Sequence, residues 1–302
     1  MCRKFRSVEQ STRIKACMER LSGFHVFSLD CASNQISKSN FSNSQASPSK
    51  PKPSENNKQK MPPPASKRPG PGEGLDPDWV AVDKYTFSTL HPRTQPNHAF
   101  LERTLTRSAE EGLPSIWSSP TQGKFLALQC RFGQVKHALD IGTLGGYSAI
   151  WMASMNPDMR VTTFEYSEHH ASVARKNFEE AGVADRIDLR VGPAAENLAK
   201  LLKEIEAGKA ERVGFAFVDA DKMNNWTYCD FAIRMGYPGT CICIDNMVQH
   251  GNLVKEEAQD DEAVKGARIA VENAGKDDRI DSLVMQCVGE RNYDGFLMAV
   301  VK

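Results

Sequence analysis

Acidic side chains recur where short apolar runs of this chain end, and most of its visible chemistry lies there. Asp140 sits inside the run Ala138-Leu139-Asp140-Ile141, which breaks into the turn Gly142-Thr143-Leu144-Gly145-Gly146. Glu165 closes the run that starts at Arg160. Asp219-Ala220-Asp221-Lys222 follows Val213 to Val218, and Asp245-Asn246 follows Thr240 to Ile244. Like charges gathered at one edge repel unless a cation or a cationic ligand joins them. Asp219, Asp245 and Asn246 offer oxygen ligands without His or Cys, a set that suits a hard cation such as Mg²⁺. Lys222, beside them, reads either as a general base or as a salt-bridge lysine. Asp-Asn is also an ordinary turn pair.

The glycine turn suits a nucleotide-like ligand, since glycines allow close approach and a helix start offers unpaired N–H groups. Its pattern is G-x-x-G-G and not the G-x-G-x-x-G of dinucleotide sites. A carboxylate two residues before Gly142 would repel a pyrophosphate, whereas a ligand carrying an ammonium and a sulfonium would welcome it. Glu165, 23 residues beyond Gly142, is placed for ribose hydroxyls or is a solvated strand-end acid. His169 and His170 read as surface residues. Trp226 and Tyr228 read as helix packing or as a wall of the substrate site.

These residues need a sheet to bring them together. Apolar runs near 137–142, 160–165, 187–191, 213–218 and 240–244 alternate with helical patterns near 146–156, 167–182, 194–207, 222–236 and 256–274. Three further helices are expected near 77–90, 97–111 and 120–133, the last opened by Ser118-Ser119-Pro120. Two closing strands, about 282–288 and 293–301, flank Gly289-Glu290-Arg291-Asn292, short enough for a hairpin. The expected fold is α/β: a doubly wound, mostly parallel seven-stranded sheet with one antiparallel strand. Ligands of such sheets sit at the carboxyl ends of the strands, where the acids are.

Composition narrows the classes further. Lys+Arg and Asp+Glu balance at 38 each over 302 residues, but residues 1–74 hold 13 basic and 5 acidic side chains. The remainder is mildly acidic, which argues against a nucleic-acid-binding globule. Residues 1–75, rich in Ser, Pro and Lys, read as a disordered basic extension, and 76–302 as one catalytic domain. No apolar stretch approaches the roughly 20 residues that span a bilayer. Eight cysteines lack any C-x-x-C, and Cys241 and Cys243 share one strand face as core thiols. A cytoplasmic location is the expectation, with a mitochondrial presequence in the basic N-terminus as the alternative.

Ala138-Leu139-Asp140-Ile141-Gly142-Thr143-Leu144-Gly145-Gly146-Tyr147-Ser148, Phe217-Val218-Asp219-Ala220-Asp221-Lys222, Ile244-Asp245-Asn246 and the segment Ser118 to Leu126 together resemble the cation-dependent O-methyltransferases. That family includes the caffeoyl-CoA and catechol O-methyltransferases, and the resemblance covers about 76–302. It implies a Rossmann-like class I methyltransferase fold and a homodimer. It implies S-adenosylmethionine held by Ser118, Asp140, Gly142, Thr143 and Ser148, with Glu165 on the ribose, Ala194 by the adenine and Asp221 near the methionine part. It further implies a divalent cation, Mg²⁺ or similar, on Asp219, Asp245 and Asn246, with Lys222 as general base. The acceptor would be a small aromatic hydroxyl compound, with Asp219 and His250 on its side of the site. Asn225 replaces a tyrosine common in the family, and His250 replaces an asparagine of some plant members, which puts plant-type acyl-CoA substrates in doubt. Two rivals share parts of the pattern. A short-chain nicotinamide dehydrogenase needs Tyr-x-x-x-Lys, and none of the six tyrosines has Lys four residues on. A non-catalytic S-adenosylmethionine-binding protein would not need the metal set or Lys222.

Overall fold

The computed structural model describes residues 76–302; the expectations for the N-terminal extension lie outside these residues. Three helices come first: α1 (Pro77–Leu90), α2 (His98–Glu110) and α3 (Pro120–Phe132). Asp76 caps α1 by accepting from Asp78 N, and Ser119 caps α3 by accepting from Gln122 N at 3.1 Å. Each cap is followed by proline, whose missing N–H costs nothing in a first turn. The alternating part is β1 (His137–Ile141), α4 (Tyr147–Met155), β2 (Arg160–Glu165), α5 (Glu168–Glu180), β3 (Ile187–Val191), α6 (Ala194–Glu206), β4 (Val213–Val218), α7 (Asn225–Met235) and β5 (Gly236–Ile244). α8 (Glu262–Ala274), β6 (Ile280–Val288) and β7 (Tyr293–Val301) close the chain.

The seven strands form one sheet in the order β3-β2-β1-β4-β5-β7-β6. β1 to β5 pair in parallel, and β7 runs antiparallel to both β5 and β6. Seven strands with β7 as the reversed one match the expected sheet. The order reverses between β1 and β4, the switch point at which such sheets bind ligands. Side chains alternate across the sheet as the pleat requires. Leu139, Ile141, Ala216, Val218, Ile242 and Ile244 pack on one face against residues of α6, α7 and α8. Ala138, Phe215, Phe217 and Cys243 pack on the other against residues of α3 and α4, with Cys241 partly buried beside them. Cys241 and Cys243 therefore share a face, and both are free thiols.

Some features differ from expectation, among them two helix starts and the burial of α1. α8 starts at Glu262 because the Asp261 carboxylate accepts from Ala263 N and Val264 N, fixing the cap there. The segment after Asp221 opens as a tight 3₁₀ turn, Lys222–Asn224, before α7. α1 forms as expected but buries none of its residues, and Val82 and Tyr85 are 60% and 72% exposed. Periodicity shows that a face is apolar, not that something covers it.

His91, just after α1, lies 4.8 Å from the Trp151 ring and is 2% exposed, with its Nε2 unpartnered. Burial, then Lys124 and His98, lower its pKa from 6.5 to about 4. An unfolded chain therefore takes up a proton below pH 6.5 that the folded chain refuses until about pH 4. Stability is lost as pH falls across that window, by at most about 3 kcal/mol. His91→Phe is expected to flatten the fall in Tm between pH 6.5 and 4 relative to the parent; parallel curves would refute this.

Candidate active site

The carboxyl ends of β1, β2, β4 and β5 carry the residues singled out above. Asp219 N donates to Ile141 O at 2.8 Å, and Asp245 N donates to Val218 O at 2.9 Å, so each strand end is stitched to its neighbour. Val218 pairs with Ile244 in register, which sets Asp219 and Asp245 side by side just past the ladder. Gly142 has φ 114°, and a Cβ there would lie 2.2 Å from the Asp219 carbonyl oxygen. Only glycine lets the first turn sit against the Asp219 backbone. The turn glycine thus positions the acids as well as the loop.

Lys222 Nζ donates to Asp219 Oδ1 at 2.6 Å, and the two side chains are 11% and 19% exposed. Asp245 is buried, and its pKa is raised to about 7, first by burial and next by the Asp219 charge, with Lys222 opposing. Among the described residues no three His, Cys, Asp or Glu side chains form a metal-binding group. The donors at this edge are instead two carboxylates and the Asn246 amide. A carboxylate whose pKa is raised first by burial and then by a neighbouring carboxylate is one that a divalent cation would relieve, and an all-oxygen set fits a hard one. Asn246 and His250 both adopt positive φ, 57° and 56°, so the backbone after β5 turns sharply to present them.

The residues expected to hold the donor are placed differently from one another. Asp140 is fully buried, and its oxygens accept from Ser148 Oγ at 2.8 Å and Thr163 Oγ1 at 2.7 Å. Burial raises its pKa to about 7, while those two hydroxyls oppose the rise. Asp140 and Ser148, both expected on the donor, are thus hydrogen-bonded to each other at the foot of the glycine turn. Thr143 Oγ1 joins the same network through Thr163 at 2.6 Å. Gly142 N and Thr143 N both donate to Phe164 O, so these two N–H groups are not available to cradle a phosphate. Thr143 O accepts from Gly146 N at 2.7 Å, which leaves the Gly142 carbonyl oxygen, a group that suits a cationic ligand. Glu165 Oε2 accepts from Leu144 N at 2.8 Å and Oε1 from Ser167 N at 2.9 Å. His170 Nδ1 stands 3.4 Å from that carboxylate, a neighbour the surface reading of the histidine pair missed.

Ser118 is buried just before the α3 cap, and Ala194 is the first residue of α6. Asp221 is exposed, and its carboxylate accepts from Tyr228 Oη and Asn224 Nδ2. Tyr228 is itself buried, and burial, then Asp221, push its pKa upward. It packs in the core and braces Asp221, and Trp226 packs half-buried against the same core. His250 is half-buried in the short 3₁₀ segment Gln249–Val254 that follows β5.

Sequence reasoning missed Gly266 in α8. A Cβ there would lie 2.2 Å from the Lys222 carbonyl oxygen, so glycine lets α8 press on the turn that carries the lysine. Gly266→Ala is expected to cut turnover more than donor affinity, and to cost about 1–3 kcal/mol of stability. Calorimetric donor titration beside steady-state kinetics checks it; equal losses in both would refute a local effect.

The family described as O-methyltransferase matches residues 93–298. This chain belongs to the O-methyltransferase family. It is 52% identical over 228 residues to O-methyltransferase imqG of Aspergillus flavus, covering 75% of this chain and 92% of that protein. It is 40% identical to a catechol O-methyltransferase of Mycobacterium tuberculosis, covering 76% of this chain and all of the relative. Among solved structures, the O-methyltransferase from Bacillus cereus in complex with SAH superposes with a TM-score of 0.67 at 40% identity, over 74% of this chain and 99% of that one. The O-methyltransferase reading excludes the nicotinamide dehydrogenase. Among the described residues no helix is long and apolar enough to cross a membrane.

Proposed function

We propose that this O-methyltransferase moves a methyl group from S-adenosylmethionine to one hydroxyl of a catechol-like, vicinal-diol aromatic, with a divalent cation such as Mg²⁺. The observation that carries the reading is the Asp219–Lys222 pair set beside Asp245 and Asn246 at the switch-point end of the sheet. S-adenosylmethionine supplies a methyl group activated by its sulfonium. A cation on Asp219, Asp245 and Asn246 would lower the pKa of the acceptor hydroxyl. The chain's own contribution is alignment and proton handling. Ser118, Asp140, Gly142, Thr143, Ser148, Glu165, Ala194 and Asp221 frame the donor, with the Asp140–Ser148 hydrogen bond holding those two side chains together. Lys222 Nζ takes the acceptor proton, and His250 lines the acceptor side. Holding both reactants in line converts a bimolecular step into a local one.

Turnover of catechols with and without EDTA tests this. Loss of activity in chelator, restored by added Mg²⁺, supports the reading; full activity in excess chelator would sink it. We further propose a homodimer, supported by exposed Val82 and Tyr85 on α1 and by Leu283, Met285 and Val288 on edge strand β6, each about half exposed. Sedimentation velocity reads it directly. The five described cysteines are free, which supports a reducing, cytoplasmic setting.

A further inference from the structure

The loop after β5 holds three non-glycine residues at positive φ, Asn246, Gln249 and His250. Such conformations persist only where surroundings over-determine them. What over-determines them is a buried carboxylate 48 residues away, Asp294 in β7. Its Oδ1 accepts from Val248 N at 3.0 Å, Gln249 N at 3.0 Å and Gly295 N at 2.9 Å. Its Oδ2 faces Asn246 Nδ2 at 3.4 Å. Gln249 Nε2 adds a bond to Asn246 O at 2.7 Å, and Met247 N one to Gly295 O at 2.9 Å.

We propose that Asp294 is a positioning residue that sets the orientation of the Asn246 amide. An ionised carboxylate only accepts hydrogen bonds, so the amide must turn its NH₂ toward Asp294. Its carbonyl oxygen is then directed away from Asp294 and left for a cation shared with Asp219 and Asp245. Partners behind ligands commonly change metal affinity by about 10- to 100-fold when removed. This inference rests on the metal-dependent reading of the site.

Asp294→Asn separates orientation from support. The substituted side chain keeps one oxygen for the three backbone N–H groups, but its new NH₂ meets Asn246 and forces that amide to flip. The test titrates the full-length chain with Mn²⁺ alone, read by electron paramagnetic resonance, beside calorimetric S-adenosylhomocysteine binding and Tm. D294N is expected to bind Mn²⁺ about 10- to 100-fold more weakly, with S-adenosylhomocysteine affinity and Tm retained. The exchanged pair Asn246→Asp with Asp294→Asn restores one acceptor facing one donor, and is expected to regain Mn²⁺ affinity.

Parent-like Mn²⁺ binding by D294N overturns the assignment. So does a loss of Mn²⁺ and S-adenosylhomocysteine binding together, since that marks general support of the fold. If D294N does not fold, the exchanged pair is compared with Asn246→Ala: recovery supports orientation, and equal weakness overturns it. A parent chain that binds no Mn²⁺ overturns the metal-dependent reading itself, and is thereby distinguished from failure of Asp294 alone.

Discussion

Lys222→Arg is expected to slow methyl transfer by about 10²- to 10⁴-fold, the usual contribution of a positioned general base. Lys222 Nζ lies 2.6 Å from Asp219 Oδ1, so an ion pair that merely holds the strand end explains the geometry equally well. Arginine preserves such a pair but is not deprotonated in proteins, so it cannot take up a proton. The two roles therefore predict opposite results from one substitution. A structural lysine gives an arginine variant with near-parent kcat and Tm. A base gives one with near-parent Tm and donor affinity but a collapsed kcat, and the deficit shrinks as pH rises because the acceptor ionises unaided. Steady-state kinetics from pH 6 to 10, beside thermal melts, distinguishes them; retained kcat at neutral pH would end the general-base role.

Asp219 Oδ1 accepts from Lys222 Nζ in the structure, and the proposed cation would draw on the same carboxylate. In that reading the base and the metal position share one residue, so a change at Asp219 is expected to disturb both.

The sheet was legible because its cause is local. Strands covered on both faces must be short and apolar, and their helices must repeat near 3.6, so the alternation could be read along the chain. The acids at the strand ends were legible for the same reason: a carboxylate closing an apolar run has few structural excuses. What escaped depends on contacts between distant segments. Asp294 serves a loop 48 residues earlier, and Gly266 clears space for a backbone 44 residues earlier. Asp140 was read by its charge alone, as an unusual acid for a phosphate turn. Its two hydroxyl partners, Ser148 and Thr163, could not be assigned from spacing, and they draw it inward. The exposure of α1 escaped too, since residues such as Val82 and Tyr85 read the same in the sequence whether or not anything covers them.

Asp245→Asn is expected to lower kcat at least about 100-fold at saturating donor and to weaken Mg²⁺ dependence, because several kcal/mol of charge stabilisation rests on the ligand set. The same residue predicts a pH signature in the parent. Its pKa is raised to about 7 by burial and then by the Asp219 charge, so the acid form accumulates as pH falls below neutrality. A protonated carboxyl does not ligate, and cation binding must displace the proton. Apparent Mg²⁺ affinity is therefore expected to fall as pH drops below about 7, approaching tenfold per pH unit, and to level off above it. Calorimetric Mg²⁺ titrations at pH 6 and 8, in buffers of different ionisation enthalpy, count the released protons. Release near one proton at pH 6 and near none at pH 8 is the expected result, and Asp245→Asn removes the difference. Equal affinity at both pH values in the parent would show that Asp245 is not the residue whose charge the cation uses.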